Sequence, residues 1–153
     1  MIIKITKKLN RNILLCTRAD GSFTSANLGA QLPFHDIAHY VTERKLGVKN
    51  GFYSLILQGE TIERLSDKEV IKSLGVDSWL AEIFARALGA LYTGACSIEQ
   101  FIPLVYTEMS NRGQADSISV YNEDTVLEMY EEYKTLLDKW RELPDGGSIE
   151  MIF

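Results

Sequence analysis

The sequence predicts an α+β fold: a small antiparallel sheet from both chain ends packed on a larger helical layer. Three observations carry this reading. Apolar residues alternate at the start, at Ile3 and Ile5, and again at the finish, at Ile149, Met151 and Phe153, the period of half-buried strands. The intervening chain shows helical apolar spacing, punctuated by capping residues and glycines. The tail SIEMIF follows Gly146-Gly147 and is expected to return and pair with the N-terminal strands. A length of 153 residues suits a single domain, 1–153, with a sizeable core.

Taken in order, MIIKIT and NILLCTR (12–18) read as strands joined by a polar turn. Asp20-Gly21 separates the second from SFTSAN (22–27) and predicts a two-residue hairpin, because both positions tolerate positive φ. Pro33 suits the first turn of a helix that Gly47 ends. Asn50 is the expected cap of a short helix through FYSLILQ, stopped by Gly59. Ser66 and Glu69 form a capping box before a helix stopped at Gly75. Asp77 opens SWLAEIFARALGALYTGA, apolar on nearly every side except Glu82 and Arg86, so this helix should be central and buried. Ser97 and Gln100 form a second capping box, for a helix fading near Gly113. Asn122 caps the last helix, with an apolar stripe through Val126, Met129, Tyr133, Leu136 and Trp140. The polar segment from Asn111 to Tyr121 is the expected mobile loop.

Composition narrows the function classes. A net charge of −5 without a basic cluster argues against nucleic acid, which requires a Lys/Arg footprint. The four cations from Lys4 to Arg11 read as solvated decoration of a strand and its turn. No apolar run approaches the roughly 20 residues of a membrane span, and MIIKITKK is too short and too charged for a signal peptide. Cys16 and Cys96 belong to no Cys-x-x-Cys pair and read as small buried thiols, with a single disulfide as the alternative. The expected compartment is a reducing cytoplasm.

Both histidines fall in LPFHDIAHYVTE, residues 32–43. On a helix at roughly 100° per residue, Phe34, Ile37, Ala38 and Val41 form the core-facing stripe. His35 and His39 lie together on its flank, Glu43 continues their row, and Asp36 lies beside it. Imidazoles at i and i+4 can bind one divalent ion, zinc being the natural candidate. A third ligand is required, and Glu43 and Glu60 lead, followed by Glu63 and by Glu82 on the apolar helix. Asp36 occupies the place where zinc hydrolases carry a general-base Glu. Being one methylene shorter, it suits ligand orientation or helix N-terminal charge as well as catalysis. The alternative for the pair is two boundary histidines that cap, hydrogen-bond or face water.

Over roughly residues 18–60, the segments ADGS, LPFHDIAHYVTE, LG and NGFYSLILQGE resemble a family of small bacterial proteins of uncharacterised activity. Separately, HDIAH is similar to the His-Asp-x-x-His motif of the ubiquinone-biosynthesis Coq family, which implies zinc on His35 and His39 with Asp36 between them. That family closes its motif with a Glu after eleven further residues; here the position is Gly51, so the ligand set does not carry over intact.

Tyr40, Phe52 and Tyr53 are candidates for the walls of a small-molecule pocket, with plain packing as the alternative. Glu82 and Arg86 read as an i,i+4 ion pair or as pocket-lining charges. Arg18 and Asp20 bracket the hairpin turn. No Gly-x-Ser-x-Gly elbow and no phosphate-cradling glycine loop is present. Two functions follow: a divalent-metal protein, using the ion for hydrolysis or other Lewis-acid chemistry, or a non-enzymatic module that binds a partner or ligand and whose histidines are structural.

Overall fold

The computed structural model describes residues 1–30, 33–118 and 121–153, with the side chains of all but Lys68 and Lys72. Strands β1 (Ile2–Thr6), β2 (Asn12–Thr17), β3 (Phe23–Gly29) and β4 (Ser148–Ile152) form one antiparallel sheet in the order β3-β2-β1-β4. The chain ends therefore meet. Ile3 stands opposite both Cys16 and Met151, and Ile5 opposite both Leu14 and Ile149. These six side chains are buried in one apolar cluster with the helices, which is the alternation expected of a sheet covered on one face.

The helical layer comprises α1 (Phe34–Leu46), α2 (Phe52–Leu57), α3 (Ile62–Leu65), α4 (Lys68–Ser73), α5 (Val76–Thr93), α6 (Ile98–Ser110) and α7 (Glu123–Glu142). Helix α5 is central, packing on α1, α6 and α7, as its all-round apolarity requires. Gly47 ends α1 in the left-handed conformation at φ 64°, where glycine carries no Cβ penalty. Gln100 reaches back to the Ser97 N–H at 2.9 Å and Asn122 accepts from Thr125 N at 3.0 Å, so both expected caps form. The buried stripe of α7 runs through Val126, Met129, Tyr133, Leu137 and Trp140, with Leu136 only half-buried. Among the described residues no helix is long and apolar enough to cross a membrane.

Several local expectations are corrected. The β2–β3 hairpin has a three-residue loop, because Arg18 N donates to Ser22 O at 2.8 Å and, within the loop, Gly21 alone takes positive φ, 85°. Gly51, not Asn50, precedes α2. Asp77 lies inside the first turn of α5 and accepts from Lys49 N and Asn50 N, bracing the entry to α2. An extra turn, α3, follows the Thr61 cap, so Ser66 is spent on Ile62 O and Asp67 caps α4. Lys7 is not solvent decoration: its Nζ donates to the carbonyls of Trp140, Arg141 and Leu143 at the end of α7. In the polar segment 111–121, residues 115–118 form a 3-10 turn anchored by buried Ile118, and positions 119 and 120 lie outside the described residues. Both cysteines are free and buried, and burial pushes the Cys16 thiol up to about 12.

Candidate metal centre

Helix α1 carries His35, His39 and Glu43 down one face from solvent into the interior. Their side chains are 55 %, 9 % and 0 % exposed in that order. The row descends because His35 stands on the exposed side of the first turn, whereas the middle of the helix, Ile37 to Glu43, is seated in the core. Across from the histidines, α5 presents Glu82. Its Oε1 lies 3.4 Å from His35 Nε2 and its Oε2 lies 3.0 Å from His39 Nε2. One ligand atom from each of the three residues falls within 4.8 Å of the others, so this group could hold a metal ion. Ligands about 2.0–2.1 Å from a tetrahedral ion stand roughly 3.3 Å apart, and here the two imidazoles meet different oxygens of the one carboxylate.

The other nitrogen of His39 is committed elsewhere. Nδ1 lies 3.1 Å from Glu43 Oε1, while Glu43 Oε2 accepts from Tyr53 N at 2.9 Å and Ser54 N at 3.1 Å. Glu43 thus caps the start of α2 and orients the imidazole at once, the carboxylate–histidine arrangement common behind metal ligands. Because a carboxylate only accepts, Nδ1 carries the proton. In a neutral ring Nε2 is then a lone pair aimed at the Glu82 carboxylate, so two acceptors face each other. A second proton in the contact, which the electrostatics place on His39, or a cation between the groups resolves it. Burial opposes the protonated form, but the hydrogen bonds to Glu43 and Glu82 outweigh it and raise the pKa of His39 to about 9. Hydrogen bonds to His35 and His39 in turn hold Glu82 well below the usual carboxylate range, against its partial burial.

Gly51 explains how Glu43 is accommodated. A Cβ at this position would come within 2.3 Å of Glu43 Oε2 and 2.4 Å of Cδ. The space beside Gly51 is therefore filled by the carboxylate of Glu43. Glu43 bonds the far edge of the His39 ring and does not share the Nε2 side with Glu82.

Glu60 does not join the cluster. Its carboxylate pairs with Arg64 at 3.3 Å and its carbonyl accepts from Arg18 at 2.6 Å. Glu63 is exposed on α3. Asp36 is half-buried in the wall beside the histidines; burial pushes its carboxyl up, with His35 and His39 opposing. Arg86 pairs with Glu82 at 3.4 Å and with Glu108 at 2.7 Å, so the i,i+4 pair coexists with the histidine contacts. Of the three aromatics, Phe52 lines the pocket with its ring 6.0 Å from that of His39. Tyr53 is wholly buried, and Tyr40 donates to Ile152 O.

The cluster opens on a cavity of about 600 Å³. His35, Asp36, His39 and Glu82 supply its ionisable wall, and Leu28, Phe52, Leu65, Leu74 and Trp79 are among the apolar residues that line the rest, together with the neutral polar Asn27, Ser66 and Ser78. Sequence reasoning ranked Glu82 last among the carboxylates; the signal that singles it out is a charge isolated on an otherwise apolar helix. Comparison with protein-family models, curated proteins and solved structures gives no match for this chain.

Proposed function

We propose that the protein binds one divalent metal, zinc, through His35 Nε2, His39 Nε2 and Glu82, and uses it for hydrolysis or a related Lewis-acid reaction. The observation that carries this reading is the convergence of three ligand atoms at a pocket wall while Glu43 holds the far nitrogen of His39. Two imidazoles and a carboxylate suit zinc, and three protein ligands leave a tetrahedral ion one open position, the pattern of catalytic sites. Zinc so held lowers the pKa of water to about 7, which supplies a nucleophile at neutral pH. The similarity of HDIAH to a zinc-holding motif supports the same choice. Glu43 already has the orienting role, so Asp36, in the pocket wall beside the histidines, is left with proton transfer or with the plain charge of a helix first turn. Two free, buried cysteines support a reducing, cytoplasmic setting.

A second reading rests on the charge of His39. As an imidazolium bridging Glu43 and Glu82, it would tie α1 to α5 and α2 with no ion and no chemistry. Elemental analysis of protein purified without chelator or metal-chelating resin separates the two. The metal reading expects one equivalent in the wild type and little in His39→Ala or Glu82→Gln. Metal-free wild-type protein that also fails to take up added zinc would leave the imidazolium bridge.

A further inference from the structure

The cavity is far larger than an ion and its water require, and its charged groups lie on one side. A water molecule occupies about 30 Å³ of the liquid, whereas the space here is about 600 Å³, within the range of sites for small organic ligands. Its ionisable groups all come from α1 and α5, at the cluster, and the neutral Asn27 and Ser66 are the polar residues of the other walls. The walls away from it come from β3, α3, α4 and the start of α5, through Leu28, Leu65, Ile71, Leu74 and Trp79. Ile71 and Leu74 flank the end of the short α4, and Ile71 remains 47 % exposed although it borders the cavity. An apolar concavity of this kind is poorly matched to water, and an apolar body placed there gains affinity with each group buried.

We propose that the pocket binds acyl compounds: a carbonyl or carboxylate oxygen at the His35–His39–Glu82 group, and a medium-chain or monoaromatic body along Leu28, Leu74 and Trp79. This rests on the metal reading above and adds the substrate class. Asp36 sits beside the head group and the apolar walls begin within the same cavity, so one molecule can reach both. A body with charges along its length would leave them without partners against these leucines. The pocket therefore selects by length of apolar chain as well as by head group.

Hydroxamates of two lengths test this on cobalt-loaded protein, where visible absorption reports the ion and Trp79 fluorescence reports the pocket. Each methylene buried is worth about four-fold in affinity, so octanohydroxamate should bind at least about 100-fold more tightly than acetohydroxamate. Leu74→Asn, and separately Leu28→Asn on a different element, should cut that ratio to below about 10-fold. Neither should alter the spectrum of the cobalt protein or its affinity for acetohydroxamate. A wild-type protein that binds cobalt but treats the two lengths alike overturns the acyl proposal and leaves the metal reading standing. Failure to bind cobalt overturns both.

Discussion

Replacing Gly51 by alanine should destabilise the protein by about 3–5 kcal/mol, although one methyl group is added and no hydrogen-bonding atom is removed. The backbone is not the cause, because Gly51 adopts φ −79° and ψ 177°, which any residue can take. The contact is. The new Cβ would stand 2.3 Å from Glu43 Oε2, 2.4 Å from Cδ and 2.8 Å from Cγ, so the carboxylate must move by roughly an ångström to reach ordinary contact distance. Glu43 is fully buried and bound to Tyr53 N, Ser54 N and His39 Nδ1. Each hydrogen bond to a charged group is worth about 1.5–3 kcal/mol, and stranding a buried charge costs about 3–5 kcal/mol. Loss of the two backbone bonds alone reaches the lower bound. For a chain of this size the melting temperature should fall by roughly 6–20 °C. Urea unfolding measures the effect as a lower midpoint at unchanged slope. Gly89→Ala is the control, since a Cβ there meets nothing within 4 Å and the position is helical. In a Glu43→Ala background, Gly51→Ala should cost less than about 1 kcal/mol, because the obstructing carboxylate is gone. An equal loss in both backgrounds, or a small loss in the wild type, would refute the steric account.

Two further outcomes follow from the same geometry. Glu43→Gln keeps the shape, but the amides of Tyr53 and Ser54 will claim the carbonyl oxygen and turn the NH₂ toward His39 Nδ1. The imidazole proton then moves to Nε2 and removes the ligand lone pair, so zinc affinity measured by chelator competition should fall about 10- to 100-fold; unchanged affinity would remove Glu43 from the site. In metal-free protein, His39 has a pKa raised from 6.5 to about 9 by its bonds to Glu43 and Glu82, with burial opposing. A raised pKa gives stability that is complete below 6.5 and lost as pH climbs through about 9. The urea midpoint of chelated protein should therefore decline across that window and stay level in His39→Gln, and saturating zinc should abolish the decline by taking the proton's place. A level wild-type profile in chelator would show that His39 does not bridge the two carboxylates as a cation.

Much of the fold was legible because its signals are local. The alternation of Ile3 and Ile5 with polar neighbours, and the matching alternation through Ile149 and Met151, set which face of each strand is buried, and the sheet order then joins the two ends. Gly47, Ser97 and Asn122 mark helix ends through atoms a few residues away. Caps failed where another bond competed for the same group: Asp77 is drawn across the fold to Lys49 N and Asn50 N, and Ser66 back into the extra turn α3, to Ile62 O.

The candidate site divides in the same way. Sequence alone set His35, His39 and Glu43 in one row on α1, since the helical repeat determines it. It could not decide which nitrogen of His39 faces which carboxylate. That choice came from the crossing of α1 and α5, which brings Glu82 to histidines 47 and 43 residues away. The fit of α2 against α1 then turned Glu43 from an expected ligand into the carboxylate that orients His39. Gly51, the apparent gap in the motif, makes that fit feasible. Periodicity is a property of neighbours along the chain, whereas a coordination shell depends on packing between helices, and only the tertiary structure decides it.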